Sequence, residues 1–254
     1  MSQVNINNPG GWASGSFGNS ITLSAGTGSE GDVLVAFLQH SVLSIEELSG
    51  WTRHGIWSSG GGTNLSIYTH VVSETDPEEY DFYYSDLETG YLAGHILRTS
   101  NVNASNPVQA VTGSIDPYQH PTNPWPFTPE LPQLPGVQQR YIYFLAIRGT
   151  NSEGESEGGF TGPTGSFGHV FDRVYSDGSD CHLLVVGASS ADTFLGNGSP
   201  VQYYSAVSGD LLTGVLSLRY EDPENPDPEP CPGAKEVTLK LTFSDVCDVQ
   251  VVPE

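Results

Sequence analysis

The run Gly31-Asp32-Val33-Leu34-Val35-Ala36-Phe37-Leu38-Gln39-His40 constrains the fold of this chain more than any other stretch. It is almost entirely apolar, contains Val and Phe, and begins at a Gly-Asp turn signal. A run this short is typical of a β-strand buried on both faces rather than of a helix. Residues 141–147 and 181–188 have the same character. We therefore predict that these three strands form the spine of one β-sandwich.

The spacing of turn residues predicts an all-β fold. The 254 residues include 30 glycines and 18 prolines, which interrupt the chain too often for long helices. The predicted fold is an antiparallel β-sandwich, jelly-roll-like, with a short C-terminal β appendage.

Composition also divides the chain into four parts. Residues 1–19 are predicted to be an extended N-terminal arm, and residues 20–220 the sandwich domain. Residues 221–233 alternate proline with acidic residues and form an extended linker. Residues 234–254 form a β tail, in which the strictly alternating Glu236–Phe243 is expected to pair with Val249–Val252.

Three stretches of the predicted sandwich carry more specific expectations. Residues 64–72 alternate apolar and polar side chains for most of their length, which predicts a half-buried strand with Leu65, Ile67 and Val71 inward. Gly94, inside a strand pattern, predicts a bulge or a close approach of backbone. Between Asn101 and Gly136 the pattern is lost, and a long Pro-rich insertion is expected.

Net charge and flanking patterns limit the partners. A formal net charge of -22 disfavours nucleic acid, because it repels a phosphate backbone. No stretch has the length and hydropathy of a membrane span, and the first residues show no signal-peptide pattern. The chain is therefore expected to be made in the cytoplasm of its producer, or for a particle assembled there.

Motifs for catalysis are weak, and we predict no enzyme, no cofactor and no metal site. Residues 154–158 match the G-x-S-x-G string, but the strand and helix that a nucleophile elbow requires are not predicted around it. The seven histidines lack zinc-ligand spacing, and no twelve-residue calcium loop is present. Cys181 is expected to be a buried apolar side chain, while a Cys231–Cys247 disulfide is left open.

Exposed aromatic and apolar residues supply the candidate functional positions. The candidate binding surface consists of Tyr118, Trp125 and Phe127, which a stiff Pro-rich segment would present for stacking, together with Trp57. The candidate anchoring residues lie in the arm and the tail and are Trp12, Phe17, Val237, Leu239, Leu241 and Phe243.

The order of several short motifs resembles a β-sandwich domain that recurs in bacteriophage tail and virion proteins and in related bacterial surface proteins. The matching residues, which span roughly 20–220, are Gly31–Phe37, Gly50–Thr52, Leu65–Tyr68, Asp76-Pro77, Tyr80–Phe82, Gly94–Leu97, Asn106–Val108 and Tyr143–Ile147. The resemblance implies no catalytic residues.

The resemblance and the residues together predict a non-enzymatic virion structural protein, an accessory or decoration protein on the capsid or tail. Other virion proteins would be its partners through the arm or the tail, and a homo-oligomer is expected. The alternative is a carbohydrate- or receptor-binding module that recognises a host glycan.

Overall fold

The computed structural model describes residues 4–7, 13–18, 20–41, 45–46, 48–59, 63–84, 90–116, 125–127, 139–149, 159–161, 167–176, 181–189, 201–204, 209–220, 239–243 and 249–253. These residues contain eighteen β-strands and no helix, which confirms the all-β class. None of them forms a helix long and apolar enough to cross a membrane. The chain divides into two compact units, residues 1–221 and residues 222–254.

The first unit holds sixteen of the described strands. They are β1 Asn5–Asn7, β2 Ala13–Gly18, β3 Ser20–Ser24, β4 Val33–His40, β5 Trp51–Ser58, β6 Asn64–Val71, β7 Glu79–Tyr83, β8 Gly90–Ser100, β9 Val108–Asp116, β10 Trp125–Phe127, β11 Gln139–Gly149, β12 Gly159–Thr161, β13 Phe167–Ser176, β14 Cys181–Ser189, β15 Val201–Tyr204 and β16 Gly209–Arg219. The second unit holds β17 Leu239–Phe243 and β18 Val249–Pro253.

Antiparallel pairing assembles the strands of the first unit into four sheets. The larger sheet has the order β1-β8-β4-β6-β5, and β2 pairs with β8 beside β1. The second sheet has the order β13-β14-β11-β16-β9. A two-stranded ribbon, β3-β7, and a small sheet, β10-β15-β12, complete the unit. The described residues of the predicted N-terminal arm thus lie in β1 and β2, on the larger sheet.

β4 is buried on both faces, as predicted from its sequence. Val33, Val35 and Phe37 belong to one hydrophobic cluster, while Leu34, Ala36 and Leu38 belong to another. Because successive side chains of a strand point to opposite sides, the larger sheet contributes to a different cluster on each face.

The first cluster, here called the inter-sheet cluster, combines side chains of the larger and the second sheet. Its members are Val4, Val33, Val35, Phe37, Leu65, Ile67, Leu97, Val102, Ile142, Ala146, Leu212, Leu216 and Leu218. The second, here called the ribbon cluster, combines the opposite face of the larger sheet with the β3-β7 ribbon. Its members are Ile21, Leu23, Ala25, Leu34, Ala36, Leu38, Ile45, Tyr68, Val72, Phe82, Tyr84, Leu92 and Ile96.

The ribbon changes the expectation for β6. Leu65 and Ile67 face the inter-sheet cluster as predicted, but Val71, also expected inward, is 36% exposed at the end of the strand. The strand is buried from Asn64 to Thr69 instead of on one face only. Tyr68 packs into the ribbon cluster from the other face. The prediction of a half-buried strand was wrong because the β3-β7 ribbon covers the face that the alternating pattern leaves for solvent.

The three apolar runs lie in two sheets. β11 and β14 pair with each other in the second sheet, whereas β4 lies in the larger one. Ile142 and Ala146 of β11 nevertheless share the inter-sheet cluster with Val35 and Phe37 of β4. The runs are therefore adjacent through packing as well as through hydrogen bonds.

The predicted insertion contains a strand, β9, that pairs with β16. Val108 and Val111 both pack against the inter-sheet cluster. The two valines are three residues apart and yet pack against the same cluster. This is possible because the register shifts between Ser217 and Leu218, where Gln109 has no partner in the ladder. Because of this irregularity, the strand does not show a simple alternation of apolar and polar residues in the sequence. The prediction of an insertion without strands was therefore wrong for β9.

Gly94 confirms the prediction of a close backbone approach. A Cβ atom at this position would lie 2.9 Å from the Phe37 carbonyl oxygen and 2.5 Å from Leu38 Cδ2. The same Cβ would lie 3.0 Å from Leu23 Cδ1, a side chain of the ribbon. The missing side chain thus lets the ribbon approach the larger sheet.

Candidate functional site

Trp57, one of the candidate binding residues, lies on β5, the edge strand of the larger sheet. Its side chain is half-buried and packs against the inter-sheet cluster. A Cβ atom added to Gly55 or to Gly113 of β9 would overlap the indole. Trp57 therefore packs between the edges of the two sheets. Its role in stacking on a ligand stays a prediction.

The other candidate binding residues concern the small sheet. Trp125 and Phe127 lie on β10, and Tyr118 lies outside the described residues. The register places Trp125 opposite Tyr203 of β15, and Tyr203 opposite Phe160 of β12. Directly opposite positions of an antiparallel ladder share one face, so three aromatic positions form a row across the sheet. Sequence reasoning missed Tyr203 and Phe160 because only long-range pairing brings them to this row.

The candidate anchoring residues divide between β2 and the second unit. Phe17 lies on β2, while Trp12 and Val237 lie outside the described residues. In the second unit, β17 and β18 pair as the sequence predicts. Their register sets the three apolar positions of β17 opposite three apolar positions of β18: Leu239 opposite Pro253, Leu241 opposite Val251, and Phe243 opposite Val249. One face of this hairpin thus carries six apolar positions.

A polar cluster that the sequence did not indicate lies at the end of β6. His70 Nδ1 is 2.7 Å from the carbonyl oxygen of Gly50, and His70 Nε2 is 2.5 Å from Asp76 Oδ2. Asp76 Oδ2 also accepts the backbone N–H of Ser73 at 2.8 Å. Both side chains of the ion pair are largely buried, with 11% and 18% of His70 and Asp76 exposed.

Aromatic rings enclose this cluster. Trp51 stacks on His70 with ring centroids 5.2 Å apart and planes inclined by 26°. Tyr80 meets both rings edge-on, at 5.1 Å from Trp51 and 5.6 Å from His70. The four residues lie on three strands, β5, β6 and β7, and in the turn after β6, so that no local spacing could have indicated the cluster. The only signal was the Asp76-Pro77 turn.

The surroundings shift the pKa values of two groups in the cluster, the Asp76 carboxyl and the Tyr80 hydroxyl. Burial by itself would raise the pKa of the Asp76 carboxyl, but hydrogen bonds from the Ser73 backbone and from His70 outweigh burial and leave that pKa lowered. Burial raises the pKa of the Tyr80 hydroxyl to about 12, with a further contribution from the charge of Asp76 and an opposing one from Arg98.

Two other histidine pairs lie in the larger sheet. His40 Nε2 is 2.8 Å from Ser66 Oγ, but both residues are buried at 0% and 1% exposure, where a substrate has no access. His54 Nε2 is 2.6 Å from Thr69 Oγ1, and burial lowers the pKa of His54.

Metal binding finds no support in the described part of the chain, where no three His, Cys, Asp or Glu side chains lie close enough together to hold an ion. An open depression of about 480 Å³ lies on the outer face of the ribbon, and it is lined by Thr22, Ser24, Pro77, Glu78, Glu79 and Asp81. The G-x-S-x-G string, Cys231 and Cys247 lie outside the described residues, and Cys181 begins β14.

Comparison of the chain with protein-family models, with curated proteins and with solved structures found no match.

Proposed function

We propose that the chain is a non-enzymatic structural protein of a bacteriophage particle, an accessory or decoration protein on the capsid or tail surface. In this proposal it is assembled into the virion in the host cytoplasm and attaches to other virion proteins. The motif order that resembles phage surface domains suggests the particle. The observation that carries the attachment is the C-terminal hairpin β17-β18.

The proposed fold of the first unit is a β-sandwich. The inter-sheet cluster supports this arrangement, because it takes side chains from both the larger and the second sheet. The β3-β7 ribbon would then be an additional layer on the outer face of the larger sheet. The jelly-roll connectivity stays a prediction.

The hairpin is suited to attachment for a physical reason. An isolated two-stranded hairpin is at most marginally stable in water, and a third strand or a sheet edge stabilises it. Six apolar positions share one of its faces. Docking against a neighbouring protein would bury this face and add main-chain hydrogen bonds. The preceding Pro-rich, acidic segment 221–233 would act as an extended spacer.

Charge indicates the kind of surface that would receive this protein. The chain has 30 acidic residues against 8 Lys and Arg. Arg98 is 6% exposed and paired with Asp32, so this cation does little to neutralise the exterior. A partner with a basic surface would complement this protein and speed their association at low salt. Several copies around a symmetry axis, the proposed homo-oligomer, would present the same acidic face repeatedly.

Particle incorporation tests the proposal directly. The experiment compares particles assembled with the full chain, with a chain lacking residues 222–254, and with the point variant Leu241→Lys. Thr242→Lys is the matched control, because it places the same charge on the opposite face of the same strand. We expect incorporation to be lost for the truncation and for Leu241→Lys but kept for Thr242→Lys. Full incorporation of the truncated chain would refute attachment through the hairpin.

The second candidate function is recognition of a carbohydrate or receptor, and the aromatic row of the small sheet favours it. Trp125, Tyr203 and Phe160 occupy one register level on three neighbouring strands. Aromatic faces in such a row are suited to stacking on sugar rings. A glycan array with the wild type, Trp125→Ala and the control Pro126→Ala tests this candidate. Binding that only Trp125→Ala abolishes would support it, while absence of any glycan signal would contradict it.

A further inference from the structure

His70 lies between two groups that can only accept hydrogen bonds. Its Nδ1 faces the Gly50 carbonyl oxygen at 2.7 Å, and its Nε2 faces Asp76 Oδ2 at 2.5 Å. A neutral imidazole has one N–H and one lone pair, so it can satisfy only one of these acceptors. The other contact would then place a lone pair against an oxygen at hydrogen-bond distance.

Asp76 does not supply the missing hydrogen, because the turn already occupies its carboxylate oxygen. Its Oδ2, the atom facing His70, already accepts the Ser73 backbone N–H at 2.8 Å. The same hydrogen bonds lower the pKa of this carboxyl. Asp76 is therefore a carboxylate at neutral pH, and both hydrogens of the two contacts belong to His70.

We propose that His70 is held as an imidazolium that fastens the turn at residues 48–51 to the turn at residues 73–76, and that this clip opens when the ring loses a proton. The clip, defined by His70, Gly50 and Asp76, is a pH-sensitive device of the fold and is independent of the proposed attachment to a particle. It is closed at mildly acidic pH, where Asp76 is still a carboxylate, and opens as pH rises, because only the doubly protonated ring donates to both acceptors.

The turns on either side are built to meet this ring. Gly50 adopts a φ of 82°, and the Trp51 N–H bonds to the Leu48 carbonyl oxygen at 3.1 Å. A Cβ atom on Gly50 would lie 3.0 Å from His70 Cε1, so the glycine also makes room for the imidazole. On the other side, the Asp76 N–H bonds to the Ser73 carbonyl oxygen at 3.2 Å.

The groups packed around His70 favour a cation. The Trp51 face stacks on the ring from β5, and aromatic faces attract positive charge. Asp76 faces it from the following turn with a negative charge. Tyr80 of β7 meets it edge-on and stays neutral at physiological pH, since its pKa is raised to about 12. Arg98 of β8, whose charge acts on Tyr80, is neutralised by its own pair with Asp32.

His54 supplies an internal control within the same sheet. Its Nε2 lies 2.6 Å from Thr69 Oγ1, and a hydroxyl can donate or accept, so this contact does not require a second proton on the ring. Burial also lowers the pKa of His54. The surroundings of His54 therefore favour the neutral ring, whereas each of the two contacts of His70 needs a hydrogen on the ring.

Nitrogen-15 NMR of the histidine rings in the full-length wild type tests the proposal without any substitution. At about pH 5, His70 should show two protonated ring nitrogens, and His54 should lose its second proton at a lower pH than a free histidine does. As pH rises, deprotonation of His70 should shift the Ser73 amide and the Trp51 indole signals at the same midpoint. A His70 ring with a bare nitrogen at about pH 5, or a titration that leaves both neighbouring signals unmoved, would overturn the proposal.

Stability measurements supply a second readout. The wild type should exceed His70→Gln in melting temperature at about pH 6, and this difference should shrink as pH rises towards about 9. His54→Gln, the matched control, should show the opposite trend, because the lowered pKa of His54 makes its contribution to stability grow as pH rises. A constant difference for His70→Gln would contradict the clip.

Discussion

The indole of Trp57 occupies the space directly over Gly113, where it closes the edge between β5 of the larger sheet and β9 of the second sheet. A Cβ atom on Gly113 would overlap Trp57 Nε1. Gly113→Ala should therefore destabilise the protein by roughly 1–3 kcal/mol, the usual cost of overpacking. Urea unfolding measures this difference. Combining it with Trp57→Leu should recover most of the loss, because the smaller side chain frees the space; equal losses in both backgrounds would show that the two residues do not interact.

Gly94 allows the ribbon to approach the larger sheet. Gly94→Ala would bring a Cβ atom within 2.9 Å of the Phe37 carbonyl oxygen, a backbone atom that cannot move without disturbing β4. We expect a loss of roughly 1–3 kcal/mol of unfolding free energy, together with faster hydrogen exchange in β3 and β7. Unchanged exchange in these two strands would contradict the role of Gly94 in seating the ribbon.

Arg98 donates hydrogen bonds to three acceptors in the segment before β4. Its Nε bonds to the Ala25 carbonyl oxygen at 3.0 Å, its Nη2 to the Gly26 carbonyl oxygen at 2.7 Å, and its Nη1 to Asp32 Oδ2 at 3.2 Å. Arg98→Met should cost roughly 3–5 kcal/mol, since it leaves a largely buried carboxylate without its counter-charge and two carbonyl groups without the guanidinium as their donor.

The control for Arg98 is Asp32→Asn, which removes the partner's charge but keeps its oxygen and both carbonyl contacts of the guanidinium. Its cost should be clearly smaller than that of Arg98→Met in the same chemical denaturation experiment. A larger cost for Asp32→Asn would show that the ion pair, rather than the backbone contacts, dominates this site.

Asp76 makes the stability of the protein depend on pH in the acidic range. Its pKa is lowered in the folded protein, so its contribution is fully present above its unfolded value of about 4 and is lost as pH falls through the folded value. Asp76→Asn should lower the melting temperature at neutral pH, and the difference from the wild type should shrink below about pH 4. Thermal unfolding across this range checks the sign, and a difference that grows towards low pH would refute it.

The strand pattern of this chain was largely readable from sequence because it depends on local properties. The uninterrupted apolar run of β4 predicted burial on both faces, and the missing side chain of Gly94 predicted a close approach of backbone. Both signals depend only on the residues of one strand. The same reasoning failed at β9, where an unpaired residue in the ladder breaks the alternation. It also failed for the second face of β6, because a pattern in one strand does not reveal what covers it.

The candidate site shows the same division more sharply. Trp125 and Phe127 were selected from their own segment, but their neighbours Tyr203 and Phe160 are set by pairing across the small sheet. His70, Trp51, Asp76 and Tyr80 meet only because β5, β6, β7 and two turns converge.

By itself the sequence determined the all-β class, the acidic character and the pairing of the C-terminal hairpin, because composition, charge and short-range alternation are local quantities. Only the tertiary structure decided which sheet each apolar run joins, that Trp57 lies over Gly113, and that His70 is enclosed by two acceptors and an indole. These relationships depend on the register of strands far apart in the chain, which hydrogen bonding and packing select together after the local pattern is set.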